Sequence, residues 1–344
     1  MGVSAHGDHQ LRSGVEQSRI LEEPAISETL SIAVLIPCYN EGVAVSAVID
    51  AFKQHLPAAR VYVYDNNSTD HTAAIARDHS AIVRVEPEQG KGNVVRRMFA
   101  DVQASIYVLV DGDDTYSAAS APLMIDLLLQ NRCDMVNGQR VTEKREAYRV
   151  GHRLGNRFLT GIVAWIFGRR FVDILSGYRV FSRRFVKSFP ALSTGFEIET
   201  ELTIHALSLH MPVAEMPTPY KERPENSVSK LNTYRDGIRI LWTILLMTKE
   251  ERPSFFFGVL FAILAATSFA LGAPIVLEWL ETGLVPRVPT AILSASIMIL
   301  AFLSLSNGMI LSSVARGRRE FRRLVYLGLP WLADSHRFKS PPAS

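Results

Sequence analysis

Cysteine is nearly absent from this chain: Cys38 and Cys133 are the only two in 344 residues, and they lie far apart. A disulfide framework and a Cys-x-x-Cys metal or redox pair are thereby excluded, and the thiols fit a reducing cytosol. Excess charge is also missing. Lys plus Arg number 37 against 34 Asp plus Glu, a formal net charge of +3. A general nucleic-acid binder needs a basic field that this balance does not supply, so nucleic acid is not an expected partner. The first 29 residues hold no apolar run of signal-peptide length and read as a flexible cytosolic tail (1–29). Nucleotide-loop signatures fail on single residues. Gly90-Lys91-Gly92 resembles part of a phosphate loop, but Val85 stands where the first Gly belongs and no Ser or Thr follows Lys91. Val95 breaks the Gly-x-Gly-x-x-Gly fingerprint in the same way. A Gly-rich turn that opens a helix can still present N–H groups and a Lys to an anion.

Charged residues make up 21% of the chain, below the roughly 25% of an average soluble domain, and the deficit is local. Between Ser254 and Ala315 only Glu278, Glu281 and Arg287 carry charge. The uncharged stretches 254–277 and 290–315 both exceed the ~20 residues that cross a ~30 Å hydrocarbon layer as a helix. They predict a transmembrane hairpin (254–315) with its turn marked by Pro274 and by Gly283 to Pro289. Arg316, Arg318, Arg319, Arg322 and Arg323 follow the second stretch, Lys249 and Arg252 precede the first, and the connecting loop holds Arg287 alone. The positive-inside rule then places the chain ahead of the hairpin and both termini in the cytoplasm, with 316–344 a basic cytosolic C-terminal segment.

Upstream, short apolar runs alternate with stretches of helix length. Ser31–Ile36, Arg60–Tyr64, Ile82–Val85 and Ile106–Val110 read as strands, and Val43–His55, His71–His79 and Asn93–Ala104 as helices. That alternation predicts an α/β fold with a mainly parallel sheet covered on both faces. In such sheets ligands collect beyond the carboxyl ends of the strands. The acids of this chain fall there: Pro37-Cys38-Tyr39-Asn40-Glu41 after the first run, Asp65-Asn66-Asn67-Ser68-Thr69-Asp70 after the second, Asp111-Gly112-Asp113-Asp114 after the fourth. Asp70 alone reads as a helix N-cap. Two aspartates one residue apart, with Gly112 between them, suit a hard divalent cation such as Mg²⁺ or Mn²⁺. A strand-to-helix turn rich in Asp and Gly is the plainer alternative.

Taken in order and spacing, these four segments resemble the family-2 glycosyltransferases with a GT-A fold, a Rossmann-like and mainly parallel sheet, over residues 30–230. Asp173-Ile-Leu-Ser-Gly-Tyr-Arg179, Tyr220-Lys-Glu-Arg223 and Ser229-Lys230 look like the branch containing dolichol-phosphate mannose synthase and bacterial polyprenyl-phosphate glycosyltransferases. The resemblance implies that Pro37, Tyr39, Asn40, Glu41, Asp65 and Asn67 hold the base and ribose of a UDP- or GDP-linked sugar. It implies that Lys91 approaches this donor and that Asp111 and Asp113 ligate the metal. Asp113, Asp173 and Arg179 are the implied catalytic residues, and Arg179, Arg223, Ser229 and Lys230 the implied phosphate contacts. The second turn departs from the family's commoner Asp-Asp-Gly, leaving uracil against guanine open. No Gln-x-x-Arg-Trp occurs, a motif typical of processive synthases in the superfamily, so a single sugar transfer is expected.

The chemistry also follows from the residues. A departing nucleoside diphosphate needs counter-charge, which a divalent metal with Arg and Lys supplies. A phosphate monoester acceptor, with a second pKa of ~6, is largely dianionic at pH 7 and needs no general base. Arg145, Arg149, Arg153 and Arg157 recur every four residues beside Leu154, Phe158, Ile162, Trp165 and Ile166, a basic amphipathic pattern suited to a membrane surface and an acceptor phosphate, Arg149 and Arg153 above all. An ordinary surface helix is the alternative. Residues 231–253 repeat the theme as a juxtamembrane segment, with Ile238, Leu241, Trp242 and Leu245 at helical spacing. The expected protein is an inner- or plasma-membrane enzyme moving one sugar, with inversion, onto polyprenyl phosphate. A homo-oligomer is left open. The rival readings are a different lipid or lipid-linked saccharide acceptor, and a non-catalytic nucleotide-sugar-binding scaffold.

Overall fold

A computed structural model describes residues 30–141, 159–166, 168, 171–224 and 233–332. The alternation seen in the sequence becomes β1 (Ile32–Cys38), α1 (Val45–His55), β2 (Arg60–Asp65), α2 (Thr72–Asp78), β3 (Ile82–Val85), α3 (Lys91–Asp101) and β4 (Ile106–Leu109). There follow α4 (Ser120–Gln130), β5 (Met135–Val141), the helical residues 159–166 (α5), β6 (Arg179–Ser182), α6 (Arg183–Ser188), α7 (Ile198–Ser208) and β7 (Val213–Pro219). The seven strands form one sheet in the order β3-β2-β1-β4-β6-β5-β7. Pairing is parallel from β3 to β4, antiparallel on both sides of β6, and parallel between β5 and β7. Fully buried strands such as Ile106-Tyr-Val-Leu109 are apolar on both faces because helices cover both. One face packs Val45, Ile49, Phe52, Met124 and Leu128 from α1 and α4. The other packs Met98, Phe99, Phe185 and Leu202 from α3, α6 and α7. Strand order reverses about β1, which has β2 on one side and β4 on the other. The crevice between the carboxyl ends of β1 and β4 is therefore the place where a ligand is expected.

After β7 come α8 (Thr233–Glu251), α9 (Pro253–Thr282) and α10 (Val288–Leu327). The last two are longer than expected. Pro274 lies inside α9 rather than in the turn, which is confined to the residues after Gly283, a left-handed C-cap with φ 69°. Neighbouring helices allow a proline inside such a segment, and α10 packs closely here: Ser268 Oγ donates to the Ser294 carbonyl at 2.8 Å and Ser294 Oγ to that of Ser268 at 2.9 Å. Nor do Arg316 to Arg323 start a separate segment, because α10 continues through them. In the most apolar windows of α9 and α10, mean hydropathy 2.2 and 2.1, only 11% and 17% of residues are buried. The core helices of a soluble protein are mostly buried, so these two are long and apolar enough to cross a membrane and are not packed as core.

α8 is apolar on two sides. Ile240 and Ile244 are buried against the α/β domain, whereas Ile238, Leu241, Trp242 and Leu245 face outward. In α5, Trp165 is 72% exposed and packs edge-on against Phe255 of α9, ring centroids 4.9 Å apart.

Candidate active site

The loops after β1 and β2 are laced together. Asn40 adopts a left-handed backbone, φ 52°; its N–H donates to Ser68 Oγ and its Oδ1 accepts from the Thr69 N–H at 2.7 Å. Glu41 N–H donates to Thr72 Oγ1, and Asp70 accepts from the N–H groups of Gly42 and Thr72. Asp70 thus serves the start of α2 as expected of a cap, although from one residue further out. The unusual Asp-Asn-Asn turn has a physical account. Asn66 donates to the carbonyls of Glu86 and Glu88 at 2.8 Å and accepts from Gly90 N–H at 2.8 Å, tying the loop after β2 to the loop after β3. Asn67 takes φ 64°, which asparagine tolerates better than other non-glycine residues. Asp65 is buried; one carboxylate oxygen accepts from Ser68 N–H, while Oδ1 has no hydrogen-bond partner. A buried acceptor left unmatched is costly and suits the N–H of a base or a ribose hydroxyl.

The acidic loop after β4 approaches β1 so closely that a Cβ on Gly112 would stand 2.6 Å from Cys38 Sγ. Gly177 is equally constrained, since a Cβ there would meet Asp111 Oδ2 at 2.3 Å. Asp113 is 3% exposed; it accepts from Thr115 Oγ1 at 2.6 Å and pairs with Arg223 Nη2 at 2.6 Å. Burial and the neighbouring Asp111 push its carboxyl pKa up, against the pull of Arg223. Arg223 also lies 3.7 Å from Glu41 Oε1. Lys91 Nζ stands 2.5 Å from both Asp111 Oδ1 and Glu199 Oε1. Burial depresses the ammonium pKa, but the two carboxylates outweigh it and the net shift is upward. Glu199 is raised by burial against the pull of Lys91.

Asp173 is buried in the segment ahead of β6. Arg140 grips its carboxylate with Nε at 2.7 Å and Nη2 at 2.8 Å, and the Arg140 guanidinium lies over the Tyr220 ring at 5.7 Å. Glu215 fixes the same turn by accepting from the N–H groups of Val172 and Asp173. The buried Tyr116 hydroxyl accepts from Gly177 N–H at 2.9 Å, and burial with Asp111 and Asp173 pushes its pKa up against the pull of Arg140.

Asp111 and Asp113 offer hard oxygen donors. Among the described residues no three His, Cys, Asp or Glu groups gather as a metal cage. Two carboxylates with room for phosphate and water are what Mg²⁺ or Mn²⁺ takes, and the mutual repulsion of this pair is the kind a cation relieves. The residues fit such an ion.

Two expectations are corrected. Arg179 is 1% exposed and turned into the interior, where it donates to the carbonyls of Ser176 and Ile174 and to Thr203 Oγ1. There it supports the 174–176 turn instead of standing at the surface. The Gly90-Lys91-Gly92 turn does not present its glycine N–H groups to an anion, and that of Gly90 donates to Asn66 Oδ1. Gly92 and Asn93 donate to the Thr194 carbonyl, whose approach explains the glycine, since a Cβ on Gly92 would meet Ser193 O at 2.1 Å. Pro37 and the half-exposed Tyr39 sit at the crevice end of β1 as expected. Arg149, Arg153, Ser229 and Lys230 lie outside the described residues, as do the 1–29 tail and the end of the C-terminal segment. Sequence reasoning missed Glu199 and Arg140. The signal for Glu199 was its place in the run Phe196-Glu-Ile-Glu-Thr-Glu201 ahead of apolar Leu202 and Ile204; that for Arg140 was a cation at the carboxyl end of a strand.

A doubly covered sheet with an acidic pair at its switch point, a lysine and an arginine beside it, defines an enzyme of the nucleotide-sugar-dependent transferase class. Residues 33–188 match the model described as glycosyl transferase family 2. The glycosyltransferase AglJ of Haloferax volcanii is 34% identical over 270 residues, 78% of this chain and 88% of that protein. The dolichyl-phosphate hexose transferase of the same organism is 28% identical over 222 residues, 64% of this chain and 95% of that protein. In fold alone, the chain resembles the glucosyl-3-phosphoglycerate synthase of Mycobacterium tuberculosis, solved with Mg²⁺ and uridine diphosphate, at TM-score 0.53 and 22% identity over 62% of this chain and 79% of that one. The chain belongs to glycosyltransferase family 2 and has its GT-A fold.

Proposed function

We propose that the protein is a membrane-anchored inverting glycosyltransferase that moves one sugar from a nucleotide-sugar to a polyprenyl phosphate at the cytosolic leaflet. The observation that carries this reading is the joining, in one chain, of the Asp111–Asp113–Lys91–Arg223 cluster at the sheet's switch point to two helices of membrane-spanning length. The likeness to a dolichyl-phosphate hexose transferase supports a lipid-phosphate acceptor.

In this reading Asp65 meets the base through its unmatched Oδ1, and Pro37, Tyr39, Asn40, Glu41 and Asn67 shape the surrounding loop edge. Asp111 and Asp113 hold Mg²⁺ or Mn²⁺, which supplies positive charge to the departing diphosphate. Lys91 orients Asp111, and Arg223 brings further positive charge to the same place. Asp173, fixed by Arg140, positions the sugar or acceptor. Arg140 and Arg223, with Lys230, Ser229, Arg149 and Arg153, provide the polar groups that a phosphate needs. Outward-facing Trp165, Ile238, Leu241 and Trp242 rest on the lipid surface and keep the crevice at the level of the acceptor's headgroup.

The decisive experiment incubates purified protein with a panel of UDP- and GDP-sugars, polyprenyl phosphate and Mg²⁺ or Mn²⁺, and reads released nucleoside diphosphate. One donor should turn over, and EDTA or Asp113→Ala should lower the rate at least about 100-fold, some 3 kcal/mol of transition-state stabilisation. Full activity in EDTA overturns the metal assignment. Orientation is read by thiol labelling: Thr282→Cys should react with an impermeant reagent from outside the cell and Ser344→Cys should not.

A further inference from the structure

Three charged side chains form a row from the interior to the crevice. Glu199, in the first turn of α7, has a side chain 6% exposed, against 10% for Lys91 and 27% for Asp111. Lys91 Nζ stands at the same 2.5 Å from Glu199 Oε1 and Asp111 Oδ1, so one ammonium is divided between a buried carboxylate and a carboxylate of the site. The acids two places to either side of Glu199 do something else. Glu197 accepts from Gly195 N–H at 3.2 Å, and Glu201 from the N–H groups of Leu192 and Ser193 at 2.8 Å, so both serve the backbone ahead of the helix. Glu199 serves Lys91, and its Oε2 has no hydrogen-bond partner.

The second acid of the pair is matched in a similar way, since Arg223 lies 2.6 Å from Asp113 Oδ2 and 3.7 Å from Glu41 Oε1. Each acid thus shares its cation with a further carboxylate. Four carboxylates against two cations leave two formal negative charges, the complement of one divalent ion. Without Glu199 the ammonium would belong to Asp111 alone, and a closed ion pair offers an incoming metal little net charge. The backbone leaves the row little freedom to rearrange. Gly92 N–H, next to Lys91, donates to the Thr194 carbonyl at 2.9 Å, and a Cβ on Gly177 would meet Asp111 Oδ2 at 2.3 Å.

We propose that Glu199 is a positioning residue for the metal site: by holding a share of the Lys91 ammonium away from Asp111, it leaves Asp111 the charge with which to bind a divalent cation. Glu199 acts through Lys91 and not as a ligand. This role differs from that of a mere counter-ion to a buried lysine, which would govern stability alone; a positioning carboxylate sets metal affinity while the fold stays constant. The proposal rests on the reading of Asp111 as a metal ligand, independently of which acceptor the enzyme uses.

The test titrates the purified full chain in detergent with Mn²⁺ alone and reads free Mn²⁺ by electron paramagnetic resonance, the binding lost in Asp111→Asn defining the site. Glu199→Gln should raise the Kd at least about 10-fold, the order that one charge produces over ~5 Å between protein surface and water. Glu199→Asp, which keeps the charge, should lose less. Lys91→Met combined with Glu199→Gln should return the Kd to within about 3-fold of the wild type, because Asp111 then has neither the competing ammonium nor the helping carboxylate. Circular dichroism should be the same throughout. A Kd for Glu199→Gln within about 3-fold of the wild type overturns the proposal, as does a loss that persists in the double variant, the result a purely structural Glu199 would give. Absence of any Asp111-dependent Mn²⁺ on the wild type, with UDP or GDP also added, overturns instead the metal reading on which the proposal rests.

Discussion

The hydroxyl of Tyr326, in the last turn of α10, donates to Oδ2 of Asp134 at 2.5 Å, 192 positions away in the chain. Asp134 is fully buried and also accepts from Ser182 Oγ at 2.7 Å and Arg184 Nη2 at 2.9 Å, while the Arg184 guanidinium lies 4.3 Å over the Tyr326 ring. Five residues further on, Trp331 Nε1 donates to the Cys133 carbonyl at 2.9 Å. The second apolar helix is thus bolted to the start of β5. With α8 it holds the catalytic domain to the hairpin at two places, which restricts how the crevice can tilt.

Tyr326→Phe keeps the ring over Arg184 and removes one donor to a buried carboxylate that retains Ser182 Oγ and two nitrogens of Arg184. It should cost about 1 to 3 kcal/mol, read as a lower midpoint of thermal aggregation in detergent. Trp331→Phe should add to this, because its hydrogen bond is a separate one. A Tyr326→Phe variant as stable as the wild type would show that the bolt carries no load.

The Lys91 ammonium is shared between Asp111 and Glu199, so removing it leaves two carboxylates facing each other across a buried gap. Lys91→Met should destabilise the fold by about 3 to 5 kcal/mol. Lys91→Met combined with Glu199→Gln should recover most of that stability and none of the turnover. Recovery of turnover in the double variant would mean that Lys91 acts only as a structural counter-ion.

His205 is held neutral: burial, reinforced by Arg322, lowers its pKa to about 3 from the 6.5 expected of the unfolded chain. Between these values the unfolded state binds more protons than the folded one, so stability falls as pH drops below 6.5. The loss from this one group is about 2 kcal/mol between pH 7.5 and pH 5. His205→Phe, which can pack on Phe185 and Phe189, should flatten that part of the stability profile. Parallel profiles for the two proteins would remove His205 as the cause.

Legibility followed the physics of each element. β1 and β4 could be read because strands covered on both faces are continuous apolar runs, and the acids after them because nothing apolar belongs at a ligand edge. Which strands run antiparallel could not be read: Arg179-Val-Phe-Ser182 has the composition of a buried strand in either direction. Arg179 misled for a related reason. A guanidinium with several donors serves a phosphate or three internal acceptors equally well, and only the fold brings Ser176, Ile174 and Thr203 to it. Glu197, Glu199 and Glu201 are of a residue type that is almost always exposed, whereas all three are buried. The basic end of α10 read as a tail because its partners, Glu250, Glu251 and Asp134, are distant in sequence.

The nature of the acceptor separates two chemistries at Asp173. A hydroxyl acceptor must lose a proton as it attacks, and a carboxylate within reach would take it. A phosphate monoester, with its second pKa near ~6, arrives already charged. The structure shows the Asp173 carboxylate gripped by both arms of Arg140, the arrangement of a group that positions rather than one that collects protons. Polyprenyl phosphate should therefore be glycosylated while the free polyprenol is essentially inert. Asp173→Asn, which still offers Arg140 one acceptor, should lower the rate by a factor that is the same from pH 6.5 to 8.5, because no proton transfer is lost. Arg140→Gln should impair the reaction comparably by releasing Asp173. Equal transfer to polyprenol, or a deficit of Asp173→Asn that shrinks as rising pH supplies hydroxide, would restore Asp173 to the role of general base and remove the phosphate from the acceptor.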